Sequence, residues 1–169
     1  MLNQRSFTSR IITIFLSLLV SASALAGHHE KPTSVGNIEA ATKFMETVLT
    51  EPDVAQNLLH DDFDFEFMGV SQLAGVTYDK TTYFSEWLVT VAELIPNGFR
   101  KLEVVDAIGD NNGVALMVEG DADGINGTYA NKYVFVLKFS EGEIISLREY
   151  TSDLLVATRL YKQKIIADD

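Results

Sequence analysis

The residues whose types and spacing best suit chemistry lie near the end of the chain, in Arg148-Glu149-Tyr150. The run after Gly142 reads as a β-strand, on which neighbouring side chains point to opposite faces. Arg148 and Tyr150 therefore share one face and Glu149 takes the other. Ile145 and Leu147 have the parity of Glu149, which places Glu149 on the buried side. Removing a carboxyl from water penalises its charged form and raises its pKa, the usual way to make a general acid or base near neutral pH. The same residue also reads as a structural carboxylate held by a tyrosine hydroxyl or an arginine. Glu119 is the second candidate, following the apolar Met117-Val118 and sharing one side of its strand with Asp121.

Other constellations carry less. Asp62, Asp64 and Glu66 alternate with Phe63, Phe65 and Phe67, giving one acidic and one aromatic face. Like charges on one face repel and suit water, so the acids read as a solvated face and the phenylalanines as core. The sequence has no Cys nucleophile, no Gly-x-Ser-x-Gly elbow, no His-Glu-x-x-His pair and no phosphate-binding glycine loop. No cofactor or metal site is expected in the folded part, where His60 is the one histidine and reads as the surface end of a helix. Gly27-His28-His29, if freed as an N terminus, would offer an amine, two amides and an imidazole to Cu(II) in a square plane. Incidental composition of a leader is the competing reading.

Arg5 and Arg10 precede the apolar run Ile11 to Val20, and Ala24-Leu25-Ala26 follows it. That is the layout of a secretory signal peptide over residues 1–26, cut before Gly27. The apolar run is short for a membrane span of roughly 20 residues, so a periplasmic or secreted protein is expected, with no membrane attachment after cleavage. The chain has 169 residues and a formal net charge of −11, and loss of the two leader arginines makes the remainder more acidic still. Such a surface repels phosphate backbones and anionic headgroups, which argues against nucleic-acid partners. Without Cys an exported chain has no disulfides and depends on its core. The length left suits one domain, 37–166, after a polar leader at 27–36.

The elements that must position Glu149 follow from periodicity. Ile38, Ala41, Met45, Val48 and Leu49 predict a helix over 37–49 with Asn37 as N-cap. Thr50-Glu51-Pro52-Asp53 opens a second helix to about Leu59, and Asp62 to Met68 forms a strand. After a loop over 69–77, Asp79 caps a third helix that runs to about Ile95. On it Tyr83 and Trp87 each join an aromatic body to a polar tip, which suits either a ligand or a filled core. Strands follow at 99–108 and 114–122. The stretch Asn131 to Asp153 then gives two strands about a tight turn at Ser140-Glu141-Gly142, where Gly takes a positive φ. A last helix is expected from Asp153 to about Ile165. Three helices followed by consecutive antiparallel strands indicate an α+β domain with a strongly bent sheet.

Asn131-x-Tyr133, Phe135, Gly142-x-Ile144, Arg148-Glu149-Tyr150 and Asp153 together resemble the C-terminal half of SnoaL-like proteins. These belong to the larger group sharing the cone-shaped fold of nuclear transport factor 2 (NTF2) and ketosteroid isomerase. The resemblance implies a cavity between the concave sheet and the helices, holding a small hydrophobic molecule. Phe67, Tyr83, Trp87, Tyr133, Phe135, Arg148 and Tyr150 would line it, and a homodimer would form through the outer sheet face. The group includes ligand binders, association domains, and isomerases, cyclases or hydrolases; an enzyme here would use Glu149 or Glu119. The base position of the steroid isomerases falls on Phe67, or on Glu66 with a one-residue slip, so that assignment does not carry over. The aspartate–arginine–aspartate arrangement of limonene-epoxide hydrolases has no evident counterpart around Arg100 or Arg148.

Overall fold

The computed structural model describes residues 34–166. The expected signal peptide at 1–26, the Gly27-His28-His29 terminus that its cleavage would free and most of the expected leader lie outside the described residues. Helix α1 (Ser34–Thr47) starts inside the expected leader. Asn37 does not cap it. Its side chain is buried, and Nδ2 donates to the Asp110 carbonyl at 3.1 Å, tying the helix to a distant turn. Ala41, Phe44, Met45 and Val48 form the stripe that meets the core.

Helix α2 (Pro52–Gln56) is a short piece with proline in its first turn, where no donor is needed. It delivers the chain to β1 (Leu59–Phe67), whose Phe63, Phe65 and Phe67 are all buried. A short strand not foreseen from the sequence, β2 (Thr77–Asp79), pairs antiparallel with β1. Helix α3 runs in three pieces, Lys80–Thr82, a π-helical turn Tyr83–Trp87, and Leu88–Leu94. Asp79 caps it reciprocally: its side chain accepts from Thr82 N–H at 2.8 Å, and its own N–H donates to Thr82 Oγ1 at 2.9 Å.

The remaining strands are β3 (Phe99–Gly109), β4 (Gly113–Gly124), β5 (Gly127–Ser140) and β6 (Glu143–Thr151). The single sheet has the order β2-β1-β6-β5-β4-β3, with β1 parallel to β6 and every other pair antiparallel. Register shifts interrupt β1/β6, β3/β4 and β5/β6, and bulges of this kind add the bend that wraps a sheet around a core. The shift between Lys138 and Phe139 also changes the inward parity of β6. Ile144 is fully buried while Ile145 is not, so Ile145 does not share the inner face with Leu147 and Glu149 as the simple alternation predicted.

At the β5–β6 turn Glu141 and Gly142 both have positive φ, 53° and 90°, the pattern of a two-residue hairpin matched to strand twist. Gly69, just past β1, is needed for a different reason. A Cβ there would strike the Phe67 ring and the Asp153 carboxylate. That carboxylate accepts from Val70 N–H, joining the end of β1 to the start of α4 (Asp153–Leu155, continued by a π-helical turn Val156–Leu160). Helix α4 ends well before the expected Ile165. Lys162 is left-handed, with φ 56°, and Gln163 N–H bonds the Ala157 carbonyl six residues back, closing the helix.

Phe65 is completely buried between α3 and the sheet, with ring centroids 4.7 Å from Trp87 and 5.0 Å from Tyr83. Phe65→Ala is expected to cost about 3–5 kcal/mol in urea denaturation, the usual range for emptying a core aromatic site.

Candidate functional site

The helices do not fill the cone completely. Between the concave sheet and α1, α3 and α4 lies a cavity of about 70 Å³. Phe67, Tyr129, Tyr133, Phe135 and Glu149 line it from the sheet, Tyr83 and Trp87 from α3, and Val156 and Leu160 from α4. The π-helical turn bears both Tyr83 and Trp87, and both are buried. Turns of this type widen a helix locally and often occur at functional sites.

Among the described residues Glu149 is the one acidic or basic residue in this wall. Strand register sets it between two phenylalanines, Phe67 on β1 and Phe135 on β5, and it is only 9% exposed. Its backbone carbonyl accepts from Met68 N–H at 2.8 Å. Among the described residues its carboxyl has no hydrogen-bond donor and no counter-ion. Burial alone pushes its pKa up to about 8. The structural reading of a carboxylate pinned by a tyrosine or an arginine has no partner to rest on here.

Three phenols surround this acid. Burial raises the pKa of Tyr83, Tyr129 and Tyr133, and the neighbouring Glu149 adds to the effect, so all three stay neutral O–H donors. Tyr129 Oη accepts from Asn131 Nδ2 at 3.0 Å. Asn131 Oδ1 in turn accepts from Lys132 N–H at 2.9 Å and Ser152 N–H at 3.3 Å, anchoring the ring to the head of α4. The Tyr133 hydroxyl is sealed from solvent and makes no hydrogen bond of good geometry, although Tyr129 is near enough to raise its pKa. Tyr129 and Asn131 are site residues that the sequence reading missed. Their signal was present, since 129, 131, 133 and 135 share one strand parity.

Three predicted site residues belong elsewhere. Arg148 lies on the outer face of the sheet, where its Nη1 and Nη2 donate to both Asp64 carboxylate oxygens at 2.9 and 2.6 Å. That bidentate pair holds Asp64 below the usual carboxylate range, and Glu66 stands 3.7 Å from Arg148 Nε. The acidic face of β1 is therefore neutralised by Arg148 as well as solvated. Tyr150 is 43% exposed on the same outer side. Glu119 is also outside, 3.1 Å from both Lys132 and Lys101, and these ammonium groups lower its pKa. It stays ionised in water and has no part in the cavity. All three errors have one cause: alternate residues on these strands face opposite sides, and only the inner side meets the cavity.

Outside the cavity a groove of about 490 Å³ runs between the end of α1, α3 and β3. Met45, Leu49, Leu88, Val91, Ile95, Phe99 and Leu102 border both spaces, so an apolar partition lies between the two. Among the described residues no group of three or more His, Cys, Asp or Glu could hold a metal ion, and no helix is long and apolar enough to cross a membrane.

The buried acid has a measurable consequence for stability. Above the ordinary value of 4.5 the unfolded chain ionises Glu149, while the folded chain keeps it protonated until about 8. Stability is thus lost as pH rises through that window and levels off beyond it. Glu149→Gln is expected to flatten this slope and to stabilise the fold above pH 8 by on the order of a few kcal/mol, read from urea melts across pH.

No protein-family model and no curated protein matches this sequence. Solved structures do match. A SnoaL-like polyketide cyclase described from Jannaschia sp. aligns with a TM-score of 0.65 at 14% identity, covering 79% of this chain and 96% of that one. An NTF2-like protein from Burkholderia xenovorans gives 0.63 at 15%, covering 76% and 98%. A protein of ketosteroid isomerase-like fold from Catenulispora acidiphila, solved with trimethylamine, gives 0.59 at 17%, covering 73% and 92%. Identities this low speak to architecture, and on that basis the chain has the NTF2-like, ketosteroid isomerase-like cone fold.

Proposed function

We propose that this chain is an exported domain that binds a small, largely apolar molecule inside the cone, with one polar group of the ligand set against Glu149. The observation that carries this reading is a carboxyl without a partner in an aromatic-lined internal space. A domain whose only task is protein association has no use for such a group and would fill the space with its own side chains. The neighbour solved with trimethylamine supports a small-molecule occupant for this architecture. At about 70 Å³ the cavity is well below the roughly 300–1,000 Å³ of drug-sized sites, so the ligand is compact or moves the partition on binding. Native mass spectrometry of the protein from its own host is expected to show a bound molecule, one per chain, released on denaturation. A protein isolated empty, whose cavity also takes up no small molecule in vitro, would overturn the reading.

A second reading is favoured by the acidity of Glu149. A carboxyl titrating near 8 can take or give a proton close to neutral pH, while the neutral tyrosines can donate hydrogen bonds to developing negative charge. This is the equipment of an isomerase, cyclase or hydrolase with an apolar substrate. If turnover is found, Glu149→Gln is expected to lower kcat by about 10²-fold or more with ligand affinity retained. Unchanged kcat would remove Glu149 from the chemistry.

A homodimer through the outer sheet face completes the proposal. Met117, Val134 and Tyr150 sit in one cross-strand row beside the exposed Val105, an apolar patch that polar residues border. Sedimentation is expected to give a dimer at micromolar concentration and a monomer for Val134→Glu. A monomeric wild-type protein would contradict the assembly.

A further inference from the structure

The cavity wall has a definite electrostatic character. Among the described residues Glu149 is its only ionisable carboxyl or base, and Glu46 is the only one lining the groove beyond the partition. No Lys, Arg or His among the described residues borders either space. The tyrosines Tyr83 of α3 and Tyr129 and Tyr133 of β5 are, among the described residues, the other titratable groups facing Glu149. Strand β1 contributes Phe67, α1 contributes Met45, and α4 contributes Val156 and Leu160. An anionic ligand would find no counter-ion and would be opposed by Glu149 once the carboxyl ionises. A neutral ligand would leave the ionised carboxyl without an opposite charge and so favours only its protonated form. A cation would supply the missing partner, and the negative faces of aromatic rings attract cations as well.

We propose that the ligand is a small organic cation, an alkylated ammonium whose charge sits against Glu149 and whose alkyl groups contact Phe67, Tyr83, Trp87, Tyr133 and Phe135. This rests on the small-molecule reading above and names its ligand class. The acidic character of the chain, net −11, raises the local concentration of such a cation. A bound cation stabilises the ionised carboxyl, so uptake of a permanent cation expels the proton that Glu149 holds in the unliganded protein.

Two probes separate the alternatives: tetramethylammonium, which has no proton to lose, and tert-butanol, a neutral molecule of similar shape. Trp87 is the only tryptophan in the chain and lines the cavity, so its fluorescence reports occupancy of this site. Tetramethylammonium is expected to bind with an affinity that rises about tenfold per pH unit between pH 6 and 8 and then levels off. The tert-butanol affinity is expected to stay constant over that range. In Glu149→Gln the cation should lose at least about tenfold in affinity at pH 9, with tert-butanol changed less than about twofold. If the variant does not fold, the wild-type pH dependence decides alone. Binding of tert-butanol without tetramethylammonium would overturn the cation and leave the small-molecule reading standing. Cation affinity unchanged by pH or by Glu149→Gln would also overturn it. Failure of both probes to bind at pH 9 would sink the cavity reading together with this one.

Discussion

The rest of the site depends on one unbalanced interaction, a carboxyl moved from water into a hydrocarbon and aromatic interior without a counter-ion. Charged groups taken inside a protein are normally paired, because desolvation of an isolated ion costs several kcal/mol even after relaxation. Here the nearest arginine in sequence, Arg148, is directed to the opposite side of the sheet and occupied by Asp64. The fold tolerates Glu149 by keeping it protonated. That choice has a stability cost above the ordinary carboxylate range, and such costs concentrate where a protein does its work.

The surrounding architecture holds this acid in place. Register fixes it between Phe67 and Phe135, so no backbone adjustment can turn it towards solvent without slipping two strand pairs at once. The Asn131 bonds lock Tyr129 to the start of α4, and Gly69 lets the end of β1 pass beneath Asp153. On the outer face the same strands carry balanced charge. Lys101, Glu119 and Lys132 form one ladder, and Arg100 pairs with Asp121 and Asp123. The sheet thus separates a compensated outer surface from an uncompensated interior.

Much of this was legible in the sequence. Period-two alternation through Phe63-Phe65-Phe67 and Tyr133-Phe135-Leu137 located β1 and β5, and Glu141-Gly142 located the hairpin that joins β5 to β6. Parity also placed Glu149 inward, although the bulge near Ile145 shows that the argument held only over the last residues of β6. Other features were out of reach because they depend on contacts distant in sequence. Asn37 looked like a cap until Asp110 was brought to it, and β2 exists only because β1 is there to pair with it. Arg148 and Tyr150 were drawn into the pocket by the resemblance and Glu119 by its chemistry, against the alternation that puts them outside.

The most direct measurement is a pH titration of the Glu149 carboxyl by carbon-13 NMR, assigned by comparison with Glu149→Gln. In the unliganded protein the resonance should titrate with a midpoint near pH 8. A midpoint near the ordinary value of 4.5 would mean that water or a counter-ion reaches the carboxyl. The uncompensated acid, and the ligand chemistry built on it, would then be wrong.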